Sequence, residues 1–154
     1  MHLTTFLIEA HIFRETENKE LEFLLLKRAE GEKYSDIWQM VTGSIEHKEK
    51  AFETALREIK EETNLTPVKF WAVPNVNSFY EPGKDYICMV PVFAALVESD
   101  SQVEISTEHS DYKWVTLEEA KSMLAWKGQR NSVDTINDYF TNEQSLLNFV
   151  EIKL

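Results

Sequence analysis

Two runs of consecutive apolar residues near the N-terminus constrain the fold of this 154-residue chain more than any other feature. Phe6-Leu7-Ile8 lies within residues 4–13, Phe23-Leu24-Leu25-Leu26 lies within residues 21–28, and a polar loop separates the two stretches. A strand that is apolar on successive residues has both faces buried, whereas a strand with one wet face alternates between polar and apolar residues. The sequence therefore predicts two strands in a sheet that is covered on both sides.

A helix over about residues 49–63 is the first element that can provide this cover. One stripe along it is apolar and is formed by Phe52, Ala55, Leu56 and Ile59. Asn64 is suited to the left-handed residue that ends a helix, and Pro67 prevents the helix from resuming. The apolar stripe and the opposite polar arc predict a helix that packs on a sheet with one side and faces a cleft with the other.

The rest of the chain alternates between predicted strands and helices. A short segment from Ile37 to Val41 is followed, after the helix, by strands over about residues 68–80, 85–97 and 112–115. Thr116 and Glu119 form a capping box for a helix to about Leu124. A further helix is expected from Asn131 or Ser132 through Phe140, and an apolar segment follows Glu143. This order predicts a single domain, α/β or α+β, over residues 1–154.

Composition excludes several classes of partner. A formal net charge of −11 disfavours a surface that holds a nucleic acid polymer, because phosphate contacts need Lys and Arg. A small phosphorylated substrate is still compatible, since a bound cation inverts the local field. The longest apolar run, Tyr86 to Val97, is too short to span a bilayer, and no signal peptide is evident, so we expect no membrane partner. Cys88 is the only cysteine, which fits a reducing cytoplasm, and the oligomeric state is left open.

The polar arc of the first helix is unusually acidic. In Arg57-Glu58-Ile59-Lys60-Glu61-Glu62, three carboxylates fall within one arc, because residues three and four apart are neighbours on a helix surface. Like charges so placed weaken a helix by tenths of a kcal/mol per pair. Glu58, Glu61 and Glu62 therefore indicate either a divalent cation site or a solvated face paired with Arg57 and Lys60.

The full segment GSIEHKEKAFETALREIKEETNL, from Gly43 to Leu65, resembles the Nudix box. This box is the signature of hydrolases that cleave nucleoside diphosphates linked to another moiety. Asn64 stands where the box ends in glycine, a mild departure because Asn also tolerates the left-handed conformation. The resemblance implies a Nudix-type α/β/α sandwich, in which a mixed sheet lies between helices.

The resemblance also implies roles for the acidic residues. Glu58 and Glu62, commonly joined by Glu61 and a carbonyl near Gly43, would bind Mg²⁺, with Mn²⁺ as an alternative. Arg57 and Glu49 resemble the structural pair that holds the loop against the helix. Glu108 lies in a late loop where many family members carry a general base or an extra metal ligand, although an exposed loop residue is the alternative. The remaining histidines, His2, His11 and His47, lack metal-ligand spacing and are expected, with Cys88, to be buried structural residues.

Patches outside the box resemble bacterial family members that hydrolyse dihydroneopterin triphosphate in folate synthesis. They are Trp38 to Ser44, Thr107-Glu108-His109, Tyr112-Lys113-Trp114 and Trp126 to Asn131. The implied reaction is attack by water on a triphosphate chain, and the patches do not separate a pterin from a purine such as that of dATP. Aromatic and basic residues that would contact this substrate are Trp38, Phe79, Tyr80, Trp126, Arg130, Lys27 and Arg28, although aromatic residues more often belong to a core.

Three alternatives accompany this reading. A housekeeping hydrolase of other nucleoside diphosphate derivatives would use the same chemistry. A ligand-sensing module would keep the fold without catalysis, although the intact set of Glu58, Glu61 and Glu62 argues against it. A role on RNA caps or polymers fits poorly with the net charge of −11.

Overall fold

A mixed eight-stranded sheet between helices forms the body of the molecule in the computed structural model, which describes residues 1–154. The strands are β1 (His2–Thr4), β2 (Leu7–Glu15), β3 (Leu21–Arg28), β4 (Trp38–Gln39), β5 (Val41–Ser44), β6 (Lys69–Glu81), β7 (Tyr86–Leu96) and β8 (His109–Thr116). The helices are α1 (Ala51–Thr63), α2 (Leu117–Met123) and α3 (Lys127–Asn142), followed by a 3-10 helix (Gln144–Phe149). The predicted α/β class is confirmed.

β2 lies at the centre of the sheet. It pairs in parallel with β7 and antiparallel with β3 and β5. β7 pairs antiparallel with the long strand β6 on one edge, from Tyr86 to Leu96. On its other edge it pairs in parallel with β1 at Tyr86 to Cys88 and with β2 at Val92 to Leu96. Beyond β2, strand β3 pairs antiparallel with both β4 and β8.

Helices cover the sheet on both faces, as the consecutive apolar runs predict. Alternate residues of β2, such as Ile8 and Ile12, belong to a buried cluster with Ala55 and Ile59 of α1. Phe13 of the same strand points the other way, into a second cluster with residues of α2 and α3. Full burial of one such side chain contributes about 1.5–3 kcal/mol, so the two clusters hold α1 and the α2–α3 pair firmly on opposite faces.

Both predicted helix signals that depend on local chemistry are confirmed. Asn64 ends α1 in the left-handed region at φ 58°, and its N–H donates to the carbonyl of Lys60. Thr116 and Glu119 form the capping box of α2, each side chain accepting a backbone N–H of the other residue. No helix is long and apolar enough to cross a membrane.

The start predicted for the following helix is wrong. α3 begins at Lys127, four residues before Asn131, and no side chain caps its N-terminus. Ser132 is a typical capping residue, but its hydroxyl donates to the carbonyl of Gly128 inside the helix. The Ser132 hydroxyl therefore does not cap the helix, which begins earlier, directly after Trp126.

Other boundaries differ for reasons of tertiary pairing. Residues His2–Thr4 form the separate strand β1 because they pair with β7, so β2 begins only at Leu7. β8 is longer than the predicted 112–115, because β3 pairs with it from Glu22 to Arg28. His11 and Cys88 are buried as expected, but the prediction is wrong for His2 and His47, which are exposed.

Candidate active site

The acidic arc of α1 lies opposite the buried stripe that fixes the helix on the sheet. Its three carboxylates differ sharply in environment. The side chain of Glu61 is 58% exposed, that of Glu58 is 14% exposed, and Glu62 as a whole is only 4% exposed. The arc is therefore not a uniformly solvated face, because two of its three acids are withdrawn from water.

Arg57 joins this arc to the loop before it. Its Nε donates to Glu49 Oε1 at 2.8 Å and its Nη2 donates to Glu49 Oε2 at 3.0 Å, a bidentate pair. It also donates to the Ser44 carbonyl at 3.1 Å, to Glu58 at 2.8 Å and to Glu61 at 3.3 Å. The hydrogen bonds from Arg57, followed by that from Thr54, lower the pKa of Glu49 to about 2. The two residues thus hold the loop from Ser44 to Glu49 against α1.

Gly43 of β5 lies directly beneath Glu58. A Cβ atom at Gly43 would overlap the Cγ, Cδ and Oε1 atoms of Glu58, so only glycine allows this side chain its position. Burial raises the pKa of Glu58, and the charges of Glu61 and Glu108 act in the same direction, while Arg57 opposes them. The backbone of β5 therefore lies closer to Glu58 than a residue with a Cβ atom at position 43 would allow.

Of the three acids, Glu62 has the environment least favourable to a negative charge. Its Oε2 atom is buried and has no hydrogen-bond partner. Burial raises its pKa to about 9, with further contributions from the negative charges of Glu58 and Glu108. An unpartnered carboxylate among other carboxylates keeps its proton unless a cation enters.

The residues of this arc fit a hard divalent cation. Their donors are all oxygen atoms, which Mg²⁺ and Mn²⁺ prefer, and the unpartnered Glu62 oxygen supplies a free acceptor. As they lie, no three carboxylate, imidazole or thiolate side chains are grouped so that they could hold a metal ion. Glu58 and Glu61 instead contact Arg57. Glu58 and Glu61 would have to turn away from Arg57 to join Glu62 at a cation.

Glu108 faces the same arc from the loop before β8. Its charge contributes to the raised pKa of both Glu58 and Glu62, and its carbonyl accepts the N–H of Ala29 at 2.9 Å. Two further bonds tie this loop to the end of α1, from Glu104 N to the Thr63 carbonyl and from Ser106 N to the Glu62 carbonyl. The exposed Glu108 carboxylate is thereby held beside the acidic arc.

His109, which directly follows the predicted loop residue Glu108, is buried. It is the first residue of β8 and is 4% exposed. Burial, followed by the charge of Arg28, lowers its pKa to about 4, so the ring is neutral near pH 7. Its Nε2 lies 3.3 Å from Gln39 Nε2, and its Nδ1 has no partner. Alternation along β8 would not have indicated this position, because Asp111 and Lys113 of the same set are exposed and the pairing with β3 is irregular beside His109.

The aromatic residues predicted to contact a substrate fall into two groups. Trp38 lies beneath the Lys113 ammonium, at 5.3 Å, and its backbone bridges to Leu124 just before Trp126. Trp126 is half-exposed, with its ring 5.9 Å from that of Tyr34, a neighbour that was not predicted from the sequence. Phe79 and Tyr80 instead contact Tyr86 and Asp85 of the β6–β7 hairpin.

Two of the three basic residues predicted to contact the substrate already donate hydrogen bonds to backbone carbonyls of the protein. Arg28 donates to the Lys33 carbonyl at 2.6 Å and so shapes the loop after β3. Arg130 donates to the carbonyls of Leu124 and Ala125 at 3.0 and 3.2 Å, which fixes the α2–α3 connection. Lys27 is the freest of the three, with only a 4.0 Å approach to Asp36.

Comparison with known proteins agrees with this geometry. Residues 7–136 match the family model of the NUDIX domain. The bis(5'-nucleosyl)-tetraphosphatase [asymmetrical] of Mus musculus is 27% identical over 76% of this chain and 79% of its own. The dihydroneopterin triphosphate diphosphatase of Haemophilus influenzae is 29% identical over 70% and 73%.

A solved structure shows the same architecture. The crystal structure of a NUDIX hydrolase from Listeria monocytogenes superimposes with a TM-score of 0.76 at 31% identity. The match covers 89% of this chain and 94% of that one. The chain therefore belongs to the NUDIX family of hydrolases, which act on phosphoric anhydrides.

Proposed function

We propose that the protein is a Mg²⁺-dependent pyrophosphohydrolase that cleaves the triphosphate chain of a pterin or nucleoside triphosphate. The products are a monophosphate and pyrophosphate. The observation that carries this proposal is the buried, unpartnered Glu62 carboxylate beside Glu58 and Glu108. Such a cluster is costly in an apo protein and becomes favourable when a cation and a phosphate chain enter together.

Each residue of the cluster has a proposed role. Glu58, Glu61 and Glu62, with the carbonyl of Gly43, hold the cation, for which Mn²⁺ is an alternative. When bound, the cation neutralises phosphate charge and lowers the pKa of water. Arg57 and Glu49 hold the loop before α1 against this helix. Lys27 supplies a positive charge for the phosphates.

Glu108 is proposed to accept a proton from the attacking water. Water adds to one phosphorus atom, the bridging P–O bond breaks, and pyrophosphate leaves with the electron pair of that bond. The exposed carboxylate of Glu108 lies beside the arc on a loop that the bonds to Glu62 and Thr63 hold in place. Its position permits contact with a water molecule bound at the arc.

Substitution of Glu58 tests the catalytic assignment. Glu58→Gln should lower kcat by at least about 100-fold under saturating Mg²⁺ while the circular dichroism spectrum is retained. Glu53→Gln is the matched control on the same helix, because Glu53 accepts the Lys50 N–H in the first turn and lies outside the arc. Turnover of Glu58→Gln near that of the control would refute the assignment.

A second candidate within the same chemistry is hydrolysis of dinucleoside polyphosphates, favoured by the similarity to the murine tetraphosphatase. A screen over dihydroneopterin triphosphate, all nucleoside triphosphates, diadenosine tetraphosphate, nucleotide sugars and ADP-ribose separates the candidates by their products. Release of pyrophosphate from a triphosphate supports the main proposal. Binding of these compounds without any hydrolysis would indicate a ligand-sensing module, and a location in the cytoplasm accords with all of these substrates.

A further inference from the structure

Unpartnered polar atoms are concentrated in one corner of the molecule, between the end of α1 and the start of β8. Of the four buried side-chain polar atoms that have no hydrogen-bond partner, three lie there: Glu62 Oε2, Ser106 Oγ and His109 Nδ1. Glu62 and His109 are each only 4% exposed. A buried polar atom without a partner is destabilising and rare in a folded protein, so three of them in one corner indicate a function.

Backbone hydrogen bonds bring the three residues together. The N–H of Ser106 donates to the carbonyl of Glu62 at 3.2 Å. The N–H of His109 donates to the carbonyl of Ser106 at 3.2 Å, which closes a tight turn over residues 106–109. Burial is the largest influence on the pKa of both Glu62 and His109, and the charge of Arg28 acts on both as well, so the two side chains lie near one guanidinium group.

The contact between Gln39 and His109 determines which nitrogen of the imidazole ring carries the proton. Gln39 Nε2 lies 3.3 Å from His109 Nε2, and both side chains are buried. An amide nitrogen can only donate, so the ring nitrogen that faces it accepts and carries no proton. The ring proton is therefore on Nδ1, which makes the unpartnered Nδ1 of His109 a donor.

The three unpartnered atoms have complementary hydrogen-bonding roles. His109 Nδ1 donates, a carboxylate oxygen of Glu62 accepts, and the hydroxyl of Ser106 does both. A chain in which His109 Nδ1 donates to Ser106 Oγ, and Ser106 Oγ donates to Glu62 Oε2, satisfies all three atoms. A direct bond from His109 to Glu62 would leave the buried hydroxyl of Ser106 without a partner, so the chain through Ser106 is the better arrangement.

Glu62 is the acid of the arc that needs such support. Glu58 and Glu61 accept hydrogen bonds from Arg57, whereas the Oε2 atom of Glu62 has no partner. Each carboxylate oxygen has two acceptor sites, so Glu62 Oε2 can accept a hydroxyl and still face a cation. Groups that hydrogen-bond to a metal ligand from behind typically contribute about 10- to 100-fold to metal affinity.

We propose that Ser106 and His109 are positioning residues that orient the Glu62 carboxylate towards the cation. Gln39 holds the His109 ring, the ring orients the Ser106 hydroxyl, and the hydroxyl holds Glu62. Glu108 lies within the same turn, so one short segment positions both the proposed proton acceptor and a proposed cation ligand. This inference rests on the proposed function and deepens it, because it assigns the groups that support the cation site from behind.

The tautomer of His109 tests the chain without substrate or turnover. Long-range proton–nitrogen correlation spectra of the metal-free protein should show the ring proton of His109 on Nδ1. Added Mg²⁺ should shift this proton downfield, and Ser106→Ala should abolish the shift. Ser110→Ala, which changes an exposed serine of β8, is the matched control and should retain it. A proton on Nε2, or an equal response to Mg²⁺ in Ser106→Ala and the wild type, would overturn the proposal.

The affinity for Mn²⁺, measured by electron paramagnetic resonance without substrate, separates this inference from the proposed function. Ser106→Ala should weaken Mn²⁺ binding about tenfold or more, while Ser106→Thr keeps the hydroxyl and should retain most of the affinity. Both variants keep the backbone bonds that form the turn. Weakened Mn²⁺ binding by Ser106→Ala, in a protein that hydrolyses no substrate, would refute only the proposed function. Unchanged Mn²⁺ affinity of Ser106→Ala, with hydrolysis by the wild type, would refute only the positioning role.

Discussion

Gly43 and Glu58 are in such close contact that the glycine backbone forms the floor on which the carboxylate rests. β5 supplies this floor through its pairing with β2, in which Gly43 lies opposite Ile8. The two residues are fifteen positions apart in the chain, yet each determines where the other can be. The contact provides a sensitive test of the proposed cation site.

Gly43→Ala should displace the Glu58 side chain, because the added methyl group occupies its place and a side chain moves more readily than two paired strands. A displacement of about 1 Å costs roughly 100-fold in rate, so we expect a loss of that order in kcat/KM with little change in Tm. Steady-state kinetics and calorimetry measure the two effects. Retained activity would show that catalysis does not depend on the observed position of the Glu58 carboxylate.

Arg57→Lys should loosen the loop from Ser44 to Glu49. Lysine keeps the charge but cannot form the bidentate contact with Glu49 or reach the Ser44 carbonyl at the same time. We expect faster amide hydrogen exchange across residues 44–50 and a loss of about tenfold or more in kcat/KM. Unchanged exchange in this segment would contradict the proposed role of the pair.

Glu62 should make the metal-free protein less stable as the pH rises. Its folded pKa of about 9 exceeds the ordinary glutamate pKa of 4.5, so between these values the unfolded chain loses a proton that the folded protein retains. The stabilisation is complete below the unfolded pKa and is lost as the pH approaches 9, at no more than about 1.4 kcal/mol per pH unit. Urea unfolding from pH 5 to 8.5 without metal measures this slope.

Two comparisons isolate the contribution of Glu62. Glu62→Gln should flatten the slope and be more stable than the wild type at pH 8, because a neutral amide has no charge to bury. Added Mg²⁺ should stabilise the wild type more at pH 8 than at pH 6, since binding releases the proton. Parallel pH profiles for the two proteins would contradict the assignment.

Asn64 should tolerate glycine and not alanine. Its φ of 58° lies in the left-handed region, where a Cβ atom costs roughly 1–2 kcal/mol unless the side chain forms local hydrogen bonds. Asn64→Gly should therefore stay within a few tenths of a kcal/mol of the wild type, whereas Asn64→Ala should lose about 1 kcal/mol. Chemical unfolding measures both variants, and each serves as the control for the other. Equal losses of stability would show that the hydrogen bond from the Asn64 amide to Glu104 matters more than the backbone conformation.

Features that depend on neighbours in the chain could be predicted from the sequence. The consecutive apolar residues of β2 and β3 predicted a sheet with two covers, and the box from Gly43 to Leu65 predicted the order of loop and helix. The helix end at Asn64 and the capping box at Thr116 each depend on hydrogen bonds between residues three or four positions apart, so nearby residues are enough to predict them. The family resemblance follows from the same short-range patterns.

Features that depend on partners far along the chain could not be predicted in this way. Ser132 resembles a capping residue until Asn75 and Asn77, more than fifty positions away, are seen to donate to its hydroxyl. Arg28 resembles a phosphate ligand and Arg130 resembles a contact for a planar base, but nearby carbonyl groups accept hydrogen bonds from both guanidinium groups. Glu9 and His11 interrupt an otherwise apolar strand, and their meaning appears only when α3 covers them.

The alternating directions of side chains along β2 divide the strand between two tasks. Ile8 and its even-numbered neighbours support the helix of the acidic arc, while Glu9 and His11 face the opposite layer. A register shift of one residue would place a carboxylate beneath α1, so the pairing of this strand is strongly specified. Substitutions at odd-numbered positions can thus change the polar contacts beneath α3 while the packing of α1 on the even-numbered side chains is inherited unchanged.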